Sequence, residues 1–147
     1  MQDEEITVAW QIRDARANVL SEKEEKIMVL ALTSVWLDKT DLPDIDIYHE
    51  YVSYQAIKDG CVVSEGTVIF SYPKYFRYED PHLQVAVEEN RITVQASSYA
   101  KGVEILNEEE DLILSDNYFD LNGGSKTVEL ISGSVRNLKL RSVYDIN

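Results

Sequence analysis

Acidic side chains outnumber basic ones by 27 to 14, so carboxylate chemistry is the first kind to look for. General acid–base work needs two carboxyl groups close together, one of them held protonated by burial or by its neighbour. The carboxylates here fall in runs instead: Glu4-Glu5, Glu24-Glu25 and Glu108-Glu109-Glu110-Asp111. Like charges in a run repel and stay in water, so these read as solvated faces or loops. Asp38, Asp41, Asp44 and Asp46 crowd around Pro43, the kind of oxygen-rich loop that suits a hard cation. That loop lacks the glycine and distal glutamate of an EF-hand, and no calcium site is expected. His49 and His82 stand alone, with no serine or cysteine nucleophile patterned beside them. Cys61 is the only cysteine; it cannot close an internal disulfide, and two histidines do not complete a zinc set. It reads as a buried or half-buried thiol with no adjacent base to activate it. The glycines form no phosphate loop. No catalytic, metal or cofactor-binding residue is assigned, and no cofactor is expected.

The elements around these residues read as strands. Ile6, Val8, Trp10 and Ile12 alternate with polar or small residues, which puts them on one face of a strand. A turn at residues 14–18 follows. Residues 21–37 carry conflicting signals: Ser21 and Glu24 match a helix capping box, whereas Ile27, Val29 and Ala31 alternate and the flanks are β-rich. Strand is the reading taken. After the aspartate loop, residues 48–57 alternate, Asp59-Gly60 marks a hairpin, and residues 61–70 return, with a bend expected at Gly66. Pro73 and Pro81 bracket an aromatic, charged stretch without periodicity, read as a linker whose rings pack into a joint between two domains. Beyond it come short strands about every ten residues: 83–87, 92–96, 103–105, 112–121, 127–131 and 138–144. Asn122-Gly123-Gly124 is expected as a tight turn between two of them. Regular short strands of this kind suggest an immunoglobulin-like sandwich. The fold class is all-β: two small β-sandwich pieces in tandem.

Composition narrows the partners. With 44% hydrophobic and 28% charged residues the chain is globular rather than disordered. A net charge of −13 repels nucleic acid and anionic lipid, so neither is an expected partner. No run of about 18 apolar residues is present to span a membrane. The first residues, MQDEEITVAW, lack the basic and apolar regions of a signal peptide. Together with the single cysteine this leans towards a cytoplasmic setting.

The run LSDNYFDL at residues 114–121, followed by the glycines and Lys126-Thr127-Val128, resembles the C-terminal immunoglobulin-like domain of glycoside hydrolase family 2 β-mannosidases. Ile92-Thr93-Val94, Ala96 and Tyr99-Ala100-Lys101 extend that resemblance. Val8-Ala9-Trp10, Arg13-Asp14, Val19-Leu20, residues 34–37 and 62–66 and Tyr72-Pro73-Lys74 are similar to the carbohydrate-module-like sandwich that precedes it. Residues 1–74 are accordingly read as a partial sandwich of that type, lacking its opening strands, and 75–147 as the immunoglobulin-like domain.

The resemblance implies a non-catalytic accessory region that packs against the catalytic barrel of a β-mannosidase. Both catalytic glutamates of that family sit on a barrel, which needs about 250 residues and does not fit in this chain. A self-standing carbohydrate-binding module is the alternative, with Trp10, Trp36 and the tyrosines as candidate stacking rings. Trp10 shares a face with Ile6, Val8 and Ile12, so core burial is expected for it. Within the motif, Tyr118 and Phe119 are expected on opposite faces of a strand, with Asp116 and Asn117 holding local backbone groups. Missing opening strands would leave Trp10, the face of residues 51–57 and the stretch 27–37 open, so self-association through residues 1–72 is expected.

Overall fold

A computed structural model describes residues 4–29, 44–108 and 112–146. Trp36, Asp38, Asp41, Glu109, Glu110, Asp111 and the strand expected over residues 30–37 lie outside the described residues. The chain divides into two compact units, one of Met1–Asp14 with Asn18–Phe76 and one of Ala15–Ala17 with Arg77–Asn147. Both are built from antiparallel strands, as the all-β expectation has it.

Among the described residues the first unit is a four-stranded sheet in the order β2-β1-β3-β4, with β1 at Glu4–Asp14, β2 at Val19–Val29, β3 at Glu50–Lys58 and β4 at Cys61–Val68. Alternation in β1 buries Trp10 and Ile12, which cluster with Val52 of β3, and Val8 and Ile45 pack alongside. The register explains the cluster: Ile12 faces Val52 directly, and directly opposed residues share a face. On the other face Ser53 is buried, accepting from Arg13 Nε at 2.9 Å and donating to Gln11 Oε1 at 2.7 Å. The helix hinted at by Ser21 and Glu24 does not form, because residues 19–29 pair with β1 along its length. Ladder pairing outweighs helix propensities of a few tenths of a kcal/mol per residue. The exposed charges of SEKEEK then blunt an edge strand.

The hairpin at Asp59-Gly60 forms as expected, with φ of 52° and 77° at its two loop residues, the signature of a type I′ turn. Gly66 is not the bend. The register slips after Ala56–Ser64 so that Ile57 faces Val62, which leaves Val63 as the extra residue. Gly66 instead faces Tyr54, whose ring fills the space a side chain would need: a Cβ there would lie 2.5 Å from the Tyr54 hydroxyl.

The aromatic stretch is less uniformly packed than expected. Phe76 is buried edge-on against Tyr51, centroids 6.3 Å apart, within the first unit. Tyr78 lies 6.2 Å from Tyr99 within the second. Tyr72 and Tyr75, flanking a short 3-10 turn at Pro73–Tyr75, are 74% and 53% exposed.

In the second unit, β5 (Gln84–Glu88), β6 (Arg91–Leu106), β8 (Phe119–Ser132) and β7 (Ile113–Leu114) pair in that order, and β9 (Lys139–Arg141) pairs with the far end of β6. Expected strands and turns merge here. Residues 92–96 and 103–105 belong to one 16-residue strand. Asn122-Gly123-Gly124 is no hairpin turn: β8 runs straight through it, paired with β6 on both sides. The positive φ values are real, 68° and 70° at the two glycines, but they serve register shifts between Ala96 and Tyr99 rather than a reversal. A second shift lies between Ala100 and Val103, around Gly102 at φ 61°. These bulges let the β6–β8 ribbon double over. β5 pairs with the first half of β6 and β9 with the last, yet β5 and β9 touch. The fold encloses Ile92, Val94, Ala96, Ala100, Val103, Ile105, Phe119, Leu121 and Val128. The last expected strand stops at Arg141; Val143–Ile146 is a one-turn helix, fixed by Ser142 N–H and Oγ donating to Asp145 Oδ2 at 2.8 and 3.2 Å.

Candidate functional site

Four carboxylates among the described residues, Glu104, Asp116, Asp120 and Asp46, are tied to donors rather than to each other. Glu104 of β6 accepts from Arg141 of β9, its cross-strand partner, and from the Tyr118 hydroxyl at 3.0 Å. Asp116 takes Lys126 Nζ at 2.6 Å. Asp120 accepts the Gly102 N–H at 2.8 Å and lies 3.6 Å from Lys101 Nζ. Asp46 accepts the Tyr48 N–H at 3.1 Å and contacts His49 Nδ1 at 2.8 Å. Hydrogen bonds of this kind favour the charged form. Arg141 holds the Glu104 carboxyl below its ordinary range, and the Tyr48 N–H, then His49, do the same for Asp46. A general acid needs the opposite shift. Among the described residues the upward shift belongs to Tyr78, pushed to about 12 by burial and by the negative charge of Asp120. Among the described residues no three of His, Cys, Asp and Glu converge to hold a metal ion, and no helix is long and apolar enough to cross a membrane.

Trp10, Tyr72 and Tyr75 offer no flat platform. Trp10 is 7% exposed and sits in the core, as its alternation required. Tyr72 and Tyr75 are accessible but meet at 71°, edge to face, whereas stacking on one sugar ring wants coplanar faces. Cys61 is exposed, contrary to expectation, because it opens edge strand β4 directly opposite Lys58 at the hairpin end.

The motif of residues 114–121 is a clasp between β6, β7 and β8. Ser115 bonds Glu129 twice, through its N–H to the carbonyl and through Oγ to the N–H, both at 2.8 Å. Asn117 Oδ1 accepts from the N–H of Tyr118 at 3.0 Å and of Ile105 at 2.9 Å. Phe119 is buried at 7% and opens β8. Tyr118 is not its opposite number on a strand: it precedes the strand at φ 60° and is 68% exposed. The local bonds of Asp116 and Asn117 were legible in sequence; the long-range partners Ile105, Lys126 and Glu104 were not.

A clasp of this chemistry, within the second of two all-β units, is a structural device. Residues 1–75 match the mannosidase Ig/CBM-like domain, and residues 78–146 match the Ig-fold domain of mannosidases. The chain belongs to the mannosidase Ig/CBM-like domain family. Its fold is that of part of the β-D-mannosidase from Dictyoglomus thermophilum: the match has a TM-score of 0.68 at 20% identity and covers 96% of this chain. The mannosidase-type chain spans 19% of that enzyme's length. No curated protein matches it in sequence.

Proposed function

We propose that these 147 residues are a non-catalytic accessory region of a β-mannosidase, a carbohydrate-module-like domain and an immunoglobulin-like domain that pack against and support its catalytic barrel. One observation carries the reading: the two mannosidase-type matches follow one another in order and together occupy nearly the whole chain. Residues 1–74 form the carbohydrate-module-like domain and residues 75–147 the immunoglobulin-like one. The partner is a glycosidase barrel that releases terminal β-D-mannose. The carboxylates fit the supporting role, since Glu104 and Asp120 each fasten one strand to another and Asp116 ties the connection before β8 to Lys126. Purified chain incubated with an aryl β-mannoside is expected to release no phenol above the uncatalysed rate. Turnover abolished by changing one acidic residue would overturn the proposal.

Self-association through the first unit is a second, separable reading. Of the faces expected to be open, Trp10, Ile12, Tyr51 and Val52 are buried, Gln55 to Ile57 are half-buried and the side chains of residues 27–37 lie outside the described ones, whereas Val62, Val63, Val68 and Phe70 on and after β4 are exposed. Light scattering checks it: an oligomer broken by Val63→Lys supports the contact, and a monodisperse monomer removes it.

A further inference from the structure

The outer face of the second unit carries a hollow of about 300 Å³ lined by His82, Gln84, Gln95, Ala96, Ser97, Gly124 and Ser125. Its floor follows from strand register. Gln84 faces Gln95 across β5 and β6, and Gln95 faces Ser125 across β6 and β8. Directly opposed side chains on neighbouring strands share a face about 5 Å apart. The two carboxamides and the hydroxyl therefore stand in a row over three strands, and beside them Gly124, opposite Ala96, adds no side chain to the floor.

His82 forms the wall, and it is held there. Its backbone has φ 45°, a conformation a residue with a side chain adopts at a cost. Asp80 Oδ1 accepts its N–H at 2.8 Å, and the preceding Pro81 carbonyl accepts the Ser97 N–H at 2.8 Å. Buried Ser98 fastens the Asp80 carbonyl at 3.2 Å. The imidazole Nδ1 then meets Ser97 Oγ at 3.2 Å. On its other side lies a slot walled by Leu83, Val85, Leu138 and Leu140.

We propose that this hollow is a binding site for a neutral pyranoside. No charged side chain lines it, in a chain carrying −13 overall, so it suits neither a cation nor an anion. What it offers is the carboxamides of Gln84 and Gln95 and the Ser125 hydroxyl, beside a wall in which the His82 imidazole and Ser97 hydroxyl are bonded to each other; sugar hydroxyls, which both donate and accept, are their complement. Among the described residues the side chains of Gln84, Gln95 and Ser125 make no hydrogen bond to protein, so a ligand displaces only water. Its size is at the lower end for small-molecule sites, about 300–1,000 Å³, and suits a single ring. The site stands whether or not the chain rests on a catalytic barrel, so its failure and that of the accessory role are distinguishable.

The test is a titration of the ¹⁵N-labelled whole chain with methyl β-D-mannopyranoside and, separately, methyl β-D-glucopyranoside, with glycerol as control. Saturable shifts centred on the amides of residues 82, 84, 95, 97 and 125 are expected with at least one glycoside and not with glycerol. Gln84→Ala and Gln95→Ala should each weaken binding roughly tenfold, the worth of one net hydrogen bond. His82→Asn, which tolerates the same backbone conformation, should weaken it without altering the melting temperature. Shifts that fail to saturate, that glycerol reproduces, that centre elsewhere, or that survive all three substitutions would overturn the proposal.

Discussion

The carboxamide of Asn117 bonds the backbone of Ile105 as a neighbouring strand would. Its Oδ1 accepts the Ile105 N–H at 2.9 Å, and its Nδ2 donates back to the Ile105 carbonyl at 3.4 Å. The β6–β8 ladder ends at the Val103–Phe119 pair, and the chain before Phe119 turns away through Tyr118 at φ 60°. One side chain thus continues pairing where the main chain cannot. Ile105 is buried, so its N–H has no water to fall back on.

Asn117→Ala should therefore destabilise the second unit by about 1–3 kcal/mol, the cost of leaving a buried donor unpaired. Asn117→Asp keeps the acceptor oxygen and should lose less at neutral pH. Urea denaturation of both variants measures the difference. Equal stability of Asn117→Ala and the parent would show that the pairing contributes nothing.

Phe119 and Tyr118 should behave oppositely. Phe119→Ala empties part of the core and should cost about 3–5 kcal/mol, a large share of what a small domain has. Tyr118→Ala loses an exposed ring and its bond to Glu104 and should cost under about 1 kcal/mol. Tyr118→Gly should be at least as stable as Tyr118→Ala, because glycine accepts the positive φ. Thermal melts of the three variants decide it.

Gly66 and Tyr54 form a coupled pair. A methyl group at Gly66 would sit 2.8 Å from Tyr54 Cζ, so Gly66→Ala must push the ring aside. In a Tyr54→Ala background the same change no longer meets those ring atoms. A double-mutant cycle should show Gly66→Ala destabilising only when Tyr54 is present, with a coupling of about 0.5–3 kcal/mol. Additive effects would mean the ring does not cover the glycine.

Glu104 gives the second unit a pH dependence. Its carboxyl is held below its ordinary value of 4.5, chiefly by the hydrogen bond from Arg141. The folded value lies below the unfolded one, so this pairing contributes stability above about pH 4.5 and loses it as pH falls through the folded value. Arg141→Met removes the main cause. That variant should lose less stability than the parent between pH 5 and pH 3, as read from melting temperatures across the range. Parallel curves would contradict the assignment.

Local signals carried most of the first unit. Alternation placed Trp10 and Ile12 in the core, and Asp59-Gly60 fixed a two-residue hairpin, because both depend on residues adjacent in sequence. The second unit was misread where backbone chemistry has two uses. Asn122-Gly123-Gly124 supplies positive φ equally to a turn and to a bulge, and only the pairing of residues 121–122 with residues 99–100 selects the bulge. Likewise LSDNYFDL was legible as a structural motif, but its partners on β6 lie 12 to 18 residues away and no periodicity points to them. The hollow beside His82 depends on cross-strand register across β5, β6 and β8, which a linear sequence does not display.

The supporting role is tested most directly by removing these 147 residues from the polypeptide that joins them to a β-mannosidase barrel and following heat inactivation of the remainder. The truncated enzyme should lose activity at a temperature several degrees below that of the intact one, with its KM for an aryl β-mannoside little changed before inactivation. An unshifted inactivation temperature would contradict the account.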